Sequence, residues 1–536
     1  MAEITPMMRQ YLEMKERYPD SILFFRLGDF YEMFNEDAKL VSRELDLTLT
    51  TRDRNKPPEE RTPMCGVPYH SAEAYLARLI AKGYKVAICE QMEDPALAKG
   101  LVDRDIIRIV TPGTVIDASM LEEGKNNFIA AVCRTGSGAG ACFCDISTGE
   151  VSATAFSGRD WQEHLFNELG RFAPREAVLD TAAWEDVELR EFLRLRLDCR
   201  CELGREEDFA PDRAMETARK QFRTGLEDLP GEAEAAVRAC GGLLIYLYET
   251  QKTDLSHLTA FRYYTGGEFM ELDLTARRNL ELTETMRGKE KKGSLLWVLD
   301  KTRTAMGHRL IRSWMERPLL SPVQVNKRLD AVEDLVGDAI ARQEIAECLR
   351  EVTDLERLIG RIVYGTAGAR DLVALSGGLG KLPRLRALLA PFRSSLLTVL
   401  RESIDDLQDL REHIARALVE EPPFSVREGG FIKAGYNSDV DYLRDIMTNG
   451  KSMVASIEQS EREKTGIKNL KVGYNKVFGY YIEVSKANYD LVPDTYIRKQ
   501  TLVNGERFIT QELKDLEHEI LTASERVVAL EYELFS

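Results

Sequence analysis

An aromatic-dense run, Phe24-Phe25-Arg26-Leu27-Gly28-Asp29-Phe30-Tyr31-Glu32-Met33-Phe34, is the most unusual concentration of side chains in the sequence. If extended, it places Phe30 and Glu32 on one face and Tyr31 with Met33 on the other, because side chains alternate along a strand. An apolar ring beside a carboxylate can serve as a wedge and a hydrogen-bonding group at a disrupted base step. Composition by itself favours the plainer arrangement, with Phe30 in a core and Glu32 in solvent. A second concentration is one of positive charge. Residues 464–508 carry Lys464, Lys468, Lys471, Lys476, Lys486, Arg498, Lys499 and Arg507 against Glu483, Asp490, Asp494 and Glu506. Such an excess can meet phosphates, or can be an ordinary solvated surface. Residues 285–317 hold nine Lys/Arg against three acids, which reads more safely as ion pairing on helix surfaces. Arg52, Arg54, Lys56 and Arg61 form a smaller cluster, partly offset by Asp53, Glu59 and Glu60.

Enzymatic patterns are weaker. Gly450-Lys451-Ser452 matches the end of a phosphate-binding loop, but Asp445 stands where the first glycine is required and the segment lies inside a helical repeat. Gly377-Gly378-Leu379-Gly380-Lys381 fails likewise, with Leu375 and Leu382 at the needed positions. Asp145 lies on a strand without a convincing set of partner carboxylates and reads as a turn or surface acid. The six histidines are dispersed and form no hydrolase or zinc-protease pattern. The close cysteine pairs Cys142/Cys144 and Cys199/Cys201 are C-x-C, and read as buried packing.

The elements that must position these residues alternate at first. Thr5-Pro6 caps a helix bearing Met8, Tyr11, Leu12 and Tyr18, and a strand follows at Ile22 to Leu27. A helix at Asp37–Leu45, a strand at Leu47–Thr51, a helix that Ser71 caps and strands at Tyr84–Gln91 and Ile106–Val110 complete a small α/β domain. The Thr111-Pro112-Gly113-Thr114 break ends it. A three-stranded meander, Phe128–Cys133, Ala141–Ser147 and Glu150–Ala155, then gives way to β/α alternation, a pattern that suggests an RNase H-like sheet. Beyond about residue 235 the signal is helical, through Ala235–Tyr248, Ser294–Glu316, Pro322–Val336, Ala339–Glu351 and Leu382–Leu410. Val440, Leu443, Met447, Val454 and Ile457 form one seam if Gly450 fills a position in it; Leu513, Leu516, Ile520, Ala523, Val527, Leu530 and Leu534 form another. Two long helices with a strand-rich insert between them, Leu470–Val484, make an arm with a small β tip. The last helix ends in full register with no stop signal, so the sequence is expected to continue.

The sequence has 536 residues, 44% hydrophobic and 30% charged, room for several domains. It contains no apolar run near the roughly 20 residues that a membrane span needs. A net charge of −16 argues against indiscriminate nucleic-acid binding and requires any DNA contact to be local. With an odd count of nine cysteines, five of them scattered, and no secretory signal at Met1-Ala2-Glu3-Ile4-Thr5-Pro6, an intracellular protein is expected.

At the aromatic run the sequence resembles the MutS family of DNA mismatch-recognition proteins, whose Gly-x-Phe-Tyr-Glu signature Gly28-Asp29-Phe30-Tyr31-Glu32 matches. The likeness continues in Pro63-Met64-Cys65-Gly66-Val67-Pro68-Tyr69-His70, Thr111-Pro112-Gly113-Thr114, Arg278-Asn279-Leu280-Glu281-Leu282, Gly293-Ser294-Leu295-Leu296-Trp297 and Lys471–Tyr481. The resemblance implies that Phe30 stacks at a mismatch from the minor groove and that Glu32 hydrogen-bonds the mispaired base. It also implies that Lys471, Asn475, Lys476, Arg498, Lys499 and Asn504 meet the DNA backbone from a clamp.

The expected fold class is multidomain α/β plus α. It comprises a mismatch-recognition domain (1–115), an RNase H-like connector (122–245), a helical core (250–430), a clamp insert with part of a lever helix (431–509) and a returning lever helix (510–536). The resemblance further implies ATP and Mg²⁺ in an ATPase domain of the full-length family, whose Walker motifs this sequence lacks. It implies a homodimer there, the repair protein MutL as downstream partner, double-stranded DNA with mispaired or unpaired bases as ligand, and a cytoplasmic location. No catalytic residue, cofactor or metal site is expected in this chain. Two other readings stay open: a metal-dependent RNase H-like nuclease, and a non-enzymatic scaffold that binds DNA junctions.

Overall fold

A computed structural model describes residues 5–52, 57, 61–93, 100–475 and 479–536. The chain forms two compact units, residues 1–366 with 381–404, and residues 367–380 with 405–536.

The first unit opens with a helix, Pro6–Arg17, started by Thr5, whose hydroxyl accepts from the Met8 amide at 3.3 Å. Six strands follow: β1 (Ile22–Leu27), β2 (Phe30–Phe34), β3 (Thr50–Thr51), β4 (Pro63–Pro68), β5 (Val86–Gln91) and β6 (Arg104–Val110). They form one sheet in the order β3-β4-β2-β1-β5-β6, with β1 and β5 parallel and the other neighbours antiparallel. Consecutive aromatics serve opposite faces. Phe24, Tyr31 and Met33 pack with Val41, Leu45 and Leu79 from the helices Asn35–Leu45 and Ala72–Ala81; Phe25 and Phe34 pack under Tyr11 and Met14 of the first helix. Ser71 stands before Ala72–Ala81, but its hydroxyl donates back to the Pro68 carbonyl and makes no cap bond.

The second sheet holds β7 (Ile129–Thr135), β8 (Gly138–Asp145), β9 (Glu150–Ser157), β10 (Glu176–Leu179), β11 (Arg200–Leu203) and β12 (Arg262–Tyr263), ordered β11-β10-β7-β8-β9-β12. Strands β7, β8 and β9 are an antiparallel meander, and β10 runs parallel to both β7 and β11. The buried helix Glu234–Gln251 crosses this sheet so closely that a Cβ on Gly140 would lie 2.0 Å from the Ala235 carbonyl carbon. Asp145 is buried at the β8–β9 turn, where it accepts from the Ser147 amide (2.9 Å) and hydroxyl (2.7 Å), Asn126 Nδ2 (2.9 Å) and the Asn127 amide (3.2 Å). It is a turn acid, though not a surface one.

The break at 111–114 is built into this second domain. Glu176, fully buried at the start of β10, accepts from the Thr111 hydroxyl, the Gly113 amide at 3.0 Å and the Tyr246 hydroxyl at 2.5 Å. Further along, Arg309 of the helix Ala305–Glu316 has a side chain only 4% exposed. Its Nη2 lies 2.7 Å from Asp354 Oδ1 and 2.6 Å from Glu356 Oε2. Arg309 and Arg357 also donate to the carbonyls of Glu122, Glu123 and Lys125. Lys291 pairs with Asp300 at 2.7 Å, and Arg317 lies 4.3 Å from the Tyr264 ring centroid and 4.4 Å from that of Phe269. These members of the 285–317 stretch are thus engaged within the protein. The run Leu382–Leu410 is not continuous: helices Leu382–Leu389 and Ser395–Ser403 are separated at Pro391, which cannot donate to a helical ladder.

In the second unit the helices Ser438–Thr465 and Gln511–Phe535 pack along each other. The first is about 42 Å long at 1.5 Å per residue. Gly450 fills a seam position, where a Cβ would lie 3.2 Å from Ile520 Cδ1. Met447 does not: it is exposed, and Ile446 is buried in its place. At 100° per residue Met447 lies nearer the centre of the stripe than Ile446, so spacing favours the residue that the fold leaves exposed. Leu534 is likewise exposed, while Glu531 is buried and bonded to Arg444 Nη2 (2.7 Å) and the Phe431 amide (3.1 Å). Between the helices lies a four-stranded sheet, β13 (Lys471–Asn475), β14 (Gly479–Ser485), β15 (Ile497–Thr501) and β16 (Gly505–Ile509), ordered β13-β14-β16-β15.

Burial raises the pKa of Glu176 above the usual carboxylate range, against the lowering effect of its hydroxyl and amide donors. The folded state therefore holds this proton more tightly than the unfolded state. The group's contribution to stability is present at low pH and is lost as pH climbs from the ordinary carboxylate value through the raised one. Glu176→Gln is expected to flatten the fall in unfolding free energy over that window, by at most about 1.4 kcal/mol per pH unit, and the melting temperature with it. Melting curves of both proteins across the window check this.

Candidate nucleic-acid interface

Leu27 pairs with Phe30 in the β1–β2 register, so Gly28 and Asp29 make the turn, with Gly28 at φ +58°. That left-handed conformation is cheap only for glycine. The turn is tied down from beneath: the Tyr69 amide donates to the Asp29 carbonyl at 2.9 Å, and the Arg26 guanidinium lies 3.7 Å from the Tyr69 ring centroid. Arg104 Nε donates to the Arg26 carbonyl at 2.8 Å. The Tyr31 hydroxyl bonds to Glu90, and burial followed by this carboxylate pushes the Tyr31 pKa up.

On this anchored hairpin the face that Phe34 buries beneath Tyr11 runs out before Phe30, whose residue is 46% exposed. Glu32 follows two positions on, with its side chain 14% exposed. Arg52 Nη2 lies 2.7 Å from Glu32 Oε2 and donates to Oε1 at 2.9 Å, while its guanidinium carbon stands 5.9 Å from the Phe34 ring centroid. Opposite Glu32 in the register is Gly66, whose Cβ would come 3.5 Å from Glu32 Cγ and 3.2 Å from the Tyr31 carbonyl oxygen. The hairpin thus presents a bare ring with a paired carboxylate beside it. Sequence reasoning grouped Arg52 with other cations and missed its pairing with Glu32; Arg54 and Lys56 lie outside the described residues.

On the four-stranded sheet, Lys471, Lys499 and Asn504 are exposed, as are Lys468 and Lys486. Arg498 pairs with Glu506 at 3.1 Å, its side chain still 64% exposed. Asn475 ends β13, and Lys476 lies outside the described residues. Arg507 pairs with Glu483 at 3.2 Å and sits 4.1 Å from the Tyr481 ring centroid, so it serves the sheet itself. The β15–β16 turn also exposes Val503, an apolar tip that charge counting passes over.

The other candidate sites dissolve in the fold. Gly450-Lys451-Ser452 lies within the helix Ser438–Thr465, and Gly377-Gly378-Leu379 lies within Ala369–Leu379. Among the described residues no group of three His, Cys, Asp or Glu side chains could hold a metal ion. Cys142, Cys144 and Cys199 are buried and Cys201 half-buried, all four as thiols. No helix among the described residues is long and apolar enough to cross a membrane.

The family models for MutS domain I, domain II and domain III match residues 5–119, 127–259 and 275–535 in turn. The chain is also similar to curated bacterial proteins named DNA mismatch repair protein MutS. It is 50% identical over 535 residues to that of Ruminiclostridium cellulolyticum, 49% over 535 to that of Acetivibrio thermocellus and 49% over 540 to that of Symbiobacterium thermophilum. Each match takes in 100% of this chain and 61% of the relative. The chain belongs to the MutS family, and it spans about 61% of the length of these relatives.

Proposed function

We propose that the chain recognises mispaired or unpaired bases in duplex DNA by inserting Phe30 into a kinked base step, with Glu32 bonding the mispaired base. The observation that carries this is the 46% exposure of Phe30 on a hairpin whose other aromatics, Phe24, Phe25, Tyr31 and Phe34, are buried. A mispaired step has lost stacking and pairing, so it unstacks and kinks more cheaply than matched duplex. Insertion costs a few kcal/mol per unstacked step. Relieving only about 1.4 kcal/mol of that gives a tenfold preference.

Affinity common to all sequences comes, on this reading, from Lys471, Asn475, Lys476, Arg498, Lys499 and Asn504 of the insert. Exposed cations there release counterions from the backbone. The domain division proposed is the one expected from the sequence, with 122–245 as an RNase H-like connector; the 3-2-1-4-5 order of β7 to β11, antiparallel then parallel, supports that description. The full-length protein is read as a cytoplasmic homodimer that uses ATP and Mg²⁺ and hands the lesion to MutL. Among the described residues, the two glycine–lysine runs overlap helices and so do not form a phosphate-binding loop. The nuclease alternative is not favoured, because Asp145 spends its oxygens on Ser147 of its own turn and on Asn126 and Asn127 before β7.

Fluorescence anisotropy on matched and G·T duplexes tests both parts. Phe30→Ala is expected to bring the two affinities together, and a variant that keeps the wild-type preference would remove the wedge. Lys499→Ala is expected to weaken both duplexes alike and to lower the slope of log K against log salt by about one, leaving the preference intact.

A further inference from the structure

The carboxylate beside the exposed ring is not alone. One nitrogen of Arg52 reaches both oxygens of Glu32, at 2.7 and 2.9 Å, from a side chain that remains 46% exposed. A carboxylate accepts at about four lone-pair positions, so a single nitrogen leaves acceptor capacity unspent, and Oε2, shielded from solvent, accepts no hydrogen bond. A bare anion beside Phe30 would repel the phosphates flanking any base step, and a neighbouring cation cancels most of that field beyond a few ångströms. Fixing the carboxylate before binding also removes the cost of ordering it at the encounter.

Resting on the reading of Phe30 and Glu32 given above, we propose that Arg52 is the positioning residue of the mismatch contact: it holds Glu32 oriented beside the ring and thereby sets discrimination between mispaired and matched duplex. A residue that merely gripped a phosphate would strengthen both duplexes equally. Since one nitrogen makes the whole contact, a lysine ammonium can replace it, which would not be so for a two-nitrogen guanidinium fork.

The test measures affinities for matched and G·T duplexes over a range of salt for wild type, Arg52→Gln, Arg52→Lys, Glu32→Gln, the Glu32→Gln/Arg52→Gln double variant and Phe30→Ala, with melting curves to establish that each folds. Arg52→Gln is expected to lower the G·T-to-matched ratio about tenfold, the factor that accompanies 1.4 kcal/mol. Arg52→Lys restores the ratio, and Arg52→Gln adds nothing in the Glu32→Gln background. Equal loss on both duplexes with a salt slope smaller by about one would make Arg52 a phosphate contact and overturn the proposal. So would a full additional effect in the Glu32→Gln background. A preference lost in Phe30→Ala but kept in Arg52→Gln removes only the role of Arg52; a preference kept in Phe30→Ala removes the underlying reading.

Discussion

An aromatic ring withheld from a core that has room for its neighbours is the constraint around which the first domain is arranged. Burying a phenylalanine is worth about 1.5–3 kcal/mol, and the domain forgoes part of that at Phe30 while collecting it at Phe24, Phe25 and Phe34. The register fixes which ring is left out. With Gly28 and Asp29 turning the chain, Phe30 starts β2 on the face that Tyr11 covers only as far as Phe34. A one-residue slip would bury Phe30 and expose Tyr31, breaking its bond to Glu90. The hydroxyl, the guanidinium of Arg26 over Tyr69 and the Asp29 carbonyl therefore keep the ring outside as much as they stabilise the sheet.

The same economy governs the buried charges elsewhere in the chain. Glu176, Arg309 and Glu531 lie where an unpaired charge would be costly, and each is met by several partners from distant segments. Glu176 binds the 111–114 turn, Arg309 reaches the 122–125 segment, and Glu531 joins the returning long helix to Phe431 and Arg444. Each works at a point where one structural segment passes to another. The basic insert follows the opposite rule. Arg507 and Glu483 are spent on the sheet, while Lys471 and Lys499 extend from it.

Much of this was legible from local pattern. Alternation and glycine turns mark β1, β2 and the β7–β9 meander, and the apolar spacing marks the two long helices, including the place of Gly450 in their seam. What the pattern leaves undetermined is what depends on three-dimensional neighbours. Spacing favours Met447 for the seam, yet Ile446 is the residue buried there. The Glu32–Arg52 pair joins residues twenty apart on a chain that crosses the sheet between them, so no periodicity announces it. The partial exposure of Phe30 depends on where a helix stops covering a face. Composition pointed to a core residue; the family signature pointed outward.

The central claim is mechanical: the ring enters a weakened base step. It is tested most directly by placing the fluorescent adenine analogue 2-aminopurine next to a G·T pair and following its emission as the chain is added. Because stacking quenches the probe, the account predicts a saturable rise on the mispaired duplex and none on its matched counterpart. Unchanged emission at concentrations where anisotropy shows the mispaired duplex fully bound would contradict it.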